Sequence, residues 1–172
     1  MILQRLFRKE APPARRLYAV IVAAARHRAF YADWGVADSV DGRFDMIVLH
    51  LYLVLARLKG EANALRQALV DEFFADMDRS LREMGVGDIS VGKKVRKMAE
   101  SVYGRIAAYE AGQAGGHAAY VAALERNVFP EGGKIAMAEK LADYAVTAAA
   151  ALAALPLDEI AAGGIGFPEP RP

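Results

Sequence analysis

The sequence predicts a single all-α domain, a bundle of about six helices, and three observations carry that expectation. Alanine supplies roughly a fifth of the 172 residues, a helix-favouring bias that sheet proteins seldom show. Apolar side chains recur every three or four positions along most of the chain, and no stretch alternates with the period of two expected of a half-buried strand. Glycine and proline gather between the periodic segments, where they end one helix and admit the next. A chain of this length holds one domain with a real core and is too short to make two comfortably. The expected division is a flexible basic segment over 1–12, a helical domain over 13–162 and a disordered tail over 163–172. That tail follows from "AGGIGFPEPRP", which is dense in Gly and Pro.

The first helix opens at Pro13, whose missing N–H costs nothing at a first helical position. Leu17, Ile21, Ala24, Arg28 and Tyr31 then follow at helical spacing. The second runs from about Gly42 to Lys59, with Asp41 as the expected cap and Asp45 favourable at the positive end of the helix dipole. Its centre, "MIVLHLYLVL", is apolar nearly all round, which marks a helix buried on most sides. The third carries Leu65, Leu69, Phe73, Met77 and Leu81 every four residues, flanked by Val70, Phe74 and Met84, and stops at Gly85. The fourth, capped by Asp88 or Ser90, aligns Val91, Val95, Met98, Val102, Ile106 and Tyr109, and is expected to break at Gly112, Gly115 and Gly116. A shorter helix from about His117 to Asn127 and a long alanine-rich one from Lys134 towards Pro156 complete the set.

Composition removes several chemistries. There is no cysteine, so disulfides, thiolate nucleophiles and zinc ribbons are out, and a reducing compartment fits. The longest apolar run, Met46 to Leu58, is too short to span a bilayer. Four serines and three histidines form no G-x-S-x-G elbow. Asp33, Asp38, Asp41 and Asp45 lack the spacing of a calcium loop, and Asp38, Asp41 and Asp45 read as caps and turn residues. "GQAGGH" and "GGIGF" follow no strand and lack a Lys-Ser/Thr partner, so neither is a phosphate loop. His50, alone on the buried helix, reads as a satisfied core histidine, with a haem or metal ligand as the alternative. Trp34, the single tryptophan, reads as a core anchor, with an exposed partner-binding residue as the alternative.

Charge is uneven although the net value is only +1. Residues 1–28 carry Arg5, Arg8, Lys9, Arg15, Arg16, Arg26 and Arg28 against Glu10 alone. The fourth helix adds Lys93, Lys94, Arg96 and Lys97. Such clusters suit ribosomal RNA or anionic lipid, or are simply solvated helix faces.

Three stretches carry a resemblance. "YADWGVADSVDGRFDMIVLH", "FFADMDRSLREMGVGDISVGKKVRKMAESVYGR" and "AYEAG" together resemble the ubiquinol–cytochrome c chaperone family, strongly over Ala29 to Ala111. The resemblance implies an all-helical fold and a non-enzymatic role with no cofactor and no catalytic residue to carry over. It implies assembly of the bc1 complex through binding of cytochrome b or another membrane-protein client. Mitochondrial members work with a small partner protein at the ribosomal tunnel exit. Here the Trp34 loop arrives early, without their long amino-terminal extension, which points to a bacterial-type member and leaves ribosome and small partner open. The expected location is cytoplasmic, peripheral to the inner membrane, and no DNA partner is expected. A client-holder needs accessible apolar surface. Trp34, Phe74, Met77, Met84 and Met98 are the candidates, thioethers being adaptable lining, with core packing as the alternative for each. Arg5, Arg8, Lys9, Arg15, Arg16, Lys93, Lys94 and Lys97 are the candidates for ribosome or membrane contact.

Overall fold

The computed structural model describes residues 11–171. Arg5, Arg8 and Lys9, with most of the expected basic segment, lie outside the described residues. Within them the chain is helical throughout: α1 (Pro13–Ala25), α2 (Arg28–Ala32), α3 (Val40–Leu58), α4 (Asn63–Glu83), α5 (Asp88–Ala114), α6 (His117–Val128), α7 (Ile135–Ala153) and α8 (Leu157–Ala162). Six of these match the expected set. The other two arise from a break in the first helix and a short turn of helix after Pro156. None of the described helices is long and apolar enough to cross a membrane.

Around α3 the rest of the bundle is assembled: α1, α4, α5, α6 and α7 all pack against it. Thirteen of its nineteen residues are buried, as its unbroken apolar sequence requires. Its start differs from expectation. Ser39, just before the helix, supplies the cap, its hydroxyl oxygen accepting the Gly42 N–H over 3.1 Å, while Asp41 stays exposed in the first turn. Gly42 is needed because the preceding loop folds back over the helix: a Cβ there would lie 2.0 Å from the Ala37 carbonyl oxygen.

The first helix breaks after Ala25 for a local reason. His27 takes extended backbone, and its Nδ1 accepts the Ala29 N–H at 3.3 Å, so the side chain starts a new helix where periodicity alone would continue the old one. The short α2 turns Phe30 and then Trp34 inward, both buried. Gly112, the first of the three glycines where a break is expected, sits inside α5 instead. There α6 comes so close that a Cβ would meet the Tyr120 Cα at 3.0 Å and the Ala123 Cβ at 3.2 Å. The turn falls at the other two expected glycines, Gly115 and Gly116, the latter in left-handed backbone with φ +91°.

The tail lacks regular structure, as its glycines and prolines require, but it is packed. Gly163, left-handed at φ +86°, ends α8 and turns the chain back. Ile165 and Pro170 are then buried, the Phe167 ring lies 4.9 Å from that of His50, and the Arg171 carbonyl accepts the Trp34 indole N–H over 2.9 Å. Residues 163–171 are laid on the bundle.

Candidate functional site

The α4–α5 hairpin is anchored at its base and bare at its end. At the base, Phe73 is buried where three helices meet, with Tyr18 of α1 at 6.1 Å and Phe44 of α3 at 6.2 Å between ring centres. Phe74 turns towards α5, 5.1 Å from Phe73 and 6.3 Å from Tyr103. Arg105 of α5 lies over the Phe44 ring at 5.7 Å and reaches Asp45 of α3 at 2.7 Å. The sequence reads Asp45 as a carboxylate favoured by the helix dipole; it is in addition buried and ion-paired across the α3–α5 interface. Burial outweighs the Arg105 charge and pushes its carboxyl up to about 6.

Beyond that base the hairpin thins to two helices. Leu81 closes the buried stripe of α4, and over residues 85–101 only Val91 is buried. Gly85, at φ +83°, turns the chain. Arg82 pairs with Asp78 at 2.7 Å and also with Asp88 across the turn, pairs worth little in this exposed setting. Met84 is 57% exposed, Val86 is half-buried, and Ile89 is fully exposed at 100%. A single exposed apolar side chain needs no explanation; here two of them stand within six residues of chain, on either side of a half-buried valine at the hairpin turn. On the adjoining turns Lys93, Lys94, Arg96 and Lys97 lie at the surface and have no acidic partner among the described residues.

Of the five side chains that the sequence suggests for partner contact, the hairpin carries Phe74 near its base, Met84 at its turn and Met98 on α5. Met84 is open, whereas Phe74 and Met98 are half-buried along the seam. Met77 is 7% exposed and belongs to the core stripe. Trp34 is elsewhere and only 4% exposed, wedged edge-on between Phe30 at 5.3 Å and Tyr144 at 5.9 Å. Of the basic candidates, Arg15 faces Glu72 at 3.8 Å, and Arg16 hydrogen-bonds the carbonyls of Ala11, Ala161 and Ala162, joining α1 to α8. Arg16 is therefore engaged in structure, while the lysine row is not. Periodicity missed Ile89 because it lies two residues, about 200°, from Val91 and so falls off the counted stripe. An isoleucine on the polar side of a helix was the available signal.

His50 is a core residue. Its Nδ1 donates to the Met46 carbonyl and its Nε2 accepts from the Tyr144 hydroxyl, both at 2.8 Å, which uses both ring nitrogens. Complete burial lowers its pKa to about 4, so the ring is neutral at pH 7.

The sequence profile described as Ubiquinol-cytochrome C chaperone matches residues 32–167. The chain belongs to the ubiquinol–cytochrome c chaperone family. The match takes in α3 to α8 and the tail as far as Phe167, so the hairpin lies wholly within it, while Arg171, which meets Trp34, lies beyond it. The crystal structure of the Cbp3 homolog from Brucella abortus is similar to this chain with a TM-score of 0.83 and 43% identity, over 98% of this chain and 97% of that one. The ubiquinol-cytochrome-c reductase complex assembly factor 1 of Xenopus laevis is 25% identical over 118 residues, 67% of this chain and 59% of that protein. The chain thus spans about 59% of the length of that relative.

Proposed function

We propose that this chain serves the assembly of ubiquinol–cytochrome c reductase by holding cytochrome b, without catalysing a reaction, and that the open end of the α4–α5 hairpin is where it takes hold. The observation behind the surface is the pairing of Ile89, fully exposed, with Met84, 57% exposed, beside an unpaired lysine row. An apolar patch rimmed by cations suits a membrane-protein segment that pairs a greasy stretch with acidic flanks or lipid phosphate. Family membership supports the assembly role, and the names of the relatives point to the same complex.

Photocrosslinking residues placed at Met84, Ile89 and Val146 of the full chain, in a host that assembles the complex, test this. Val146 is 49% exposed on α7 and serves as the control. Adducts with cytochrome b from positions 84 and 89 but not 146 are expected, and the reverse pattern rejects the surface. Loss of the b-type haem signal on gene deletion tests the assembly role separately. A second reading, a helical adaptor for the ribosome or an anionic membrane, draws on Lys93, Lys94, Arg96 and Lys97. It predicts co-sedimentation with ribosomes or anionic vesicles that fades with salt.

A further inference from the structure

The tail over residues 165–171 is held in an unusual way. None of its main-chain groups bonds another main-chain group among the described residues; the last such bonds are those of Gly163 to Ile160 and Gly164 to Glu159. Pro168 and Pro170 have no N–H to offer. What fixes the segment is side-chain burial at Ile165 and Pro170, the contact of Phe167 with His50, and one hydrogen bond, from the Trp34 indole to the Arg171 carbonyl. Beneath it lies a preformed aromatic floor. Phe30, Trp34, His50 and Tyr144 pack against one another at 5.1 to 5.9 Å, from α2, the following loop, α3 and α7. Lys140 lies 5.6 Å from the Trp34 ring centre.

A strand with no ladder, held by Phe167 on the His50 ring, by burial of Ile165 and Pro170 and by one carbonyl on the Trp34 indole, is bound as a peptide is bound. We infer that this floor is a second peptide-binding groove, that the tail is its resident occupant, and that its exchange partner is an extended segment of another polypeptide with the same pattern: a branched aliphatic, an aromatic two residues on, then proline. Two residues of spacing put both anchors on one face of an extended chain, and proline favours that extension at little entropic cost. Trp34 supplies a directional donor to the occupant's carbonyl, and the Lys140 ammonium stands beside it. Because the tail is tethered, it competes at an effective concentration on the order of millimolar, so the groove opens only to a ligand that binds at a further site or arrives when the tail is loosened. The groove involves none of the hairpin residues, so it stands or falls separately from the surface proposed for cytochrome b.

The single tryptophan reports on the groove directly. The full chain and its Phe167→Ala variant are titrated with a labelled synthetic peptide of sequence AGGIGFPEPRP, following Trp34 quenching by acrylamide. The variant removes a tail anchor and leaves the floor intact. Its Trp34 is expected to become more quenchable and to be shielded again as peptide binds. The affinity should be at least about tenfold above that of the unsubstituted chain, and a peptide with alanine for its phenylalanine should fail. Trp34 that stays shielded in a folded variant, with no peptide bound, overturns the inference, as does filling of the groove by a second copy of the chain, read as concentration-dependent dimerisation. Hydrogen exchange of the Trp34 indole N–H in the unsubstituted chain covers the case of a variant that fails to fold. Exchange through a local opening insensitive to denaturant supports the groove, and exchange only by global unfolding rejects it.

Discussion

Tyr144 donates its hydroxyl proton to Nε2 of His50, and this 2.8 Å contact joins α7 to the central helix through a ring that cannot be charged without breaking something. Protonating Nε2 would set two donors against each other, because Nδ1 is already committed to the Met46 carbonyl. The folded pKa, about 4, is below the ordinary 6.5, so the unfolded chain binds the proton first. Stability from this group is therefore full above pH 6.5 and is lost as pH falls from 6.5 towards 4.

His50 should cost the fold about 2 kcal/mol on going from pH 7 to pH 5. Asp45 acts with the opposite sign, since its carboxyl is raised to about 6 and holding it ionised destabilises the fold as pH rises from about 4 to 6. Replacing His50 by Gln isolates the first effect. Denaturant midpoints of the parent and His50→Gln should differ more at pH 7 than at pH 5. A gap that does not narrow contradicts the assignment.

Gly42→Ala should be the most damaging single methyl addition in the chain. The new Cβ would lie 2.0 Å from a backbone oxygen, which cannot rotate away as a side chain could. A loss of about 3 kcal/mol is expected, read from chemical denaturation, with helix content by circular dichroism little changed.

Trp34→Ala removes a buried aromatic from the box formed with Phe30 and Tyr144, and should destabilise by about 3–5 kcal/mol. Trp34→Phe keeps most of that packing but loses the donor to Arg171, so it should cost less in thermal stability while freeing the end of the tail. Comparing the two melting temperatures with exchange at residues 165–171 separates packing from tethering.

Met84→Ser combined with Ile89→Ser should leave the melting temperature unchanged, within about 0.5 kcal/mol, because neither side chain is buried. Crosslinking to cytochrome b should fall sharply in the same protein. A large drop in stability would show that the hairpin end is part of the core.

The fold is legible because burial and helical period coincide. Leu69, Phe73, Met77 and Leu81 are spaced as a core stripe and are one, and the apolar centre of α3 is buried on most sides. The departures share a cause: each depends on a contact far away in sequence. Asp45 is indistinguishable from any other carboxylate near a helix start until Arg105, sixty residues later, is known to face it. Gly112 reads as a breaker until α6 is found against it. The tail reads as disordered because composition reports backbone preference, whereas Trp34 and His50 determine where it rests. The surface proposed for client contact is half legible. Met84, a candidate for its softness, is open, while Ile89, more exposed still, carries no periodic signal.

α5 is one uninterrupted helix of 27 residues, about 40 Å long. Its lysine-bearing first half is mostly exposed, with Val91 its one buried residue, and its second half puts Val102, Tyr109 and Gly112 into the interior. Arg105 pins it to Asp45 of α3 at 2.7 Å, so the outer half is carried at a set distance from the interior, where Tyr109 meets Tyr120 edge-on at 6.5 Å.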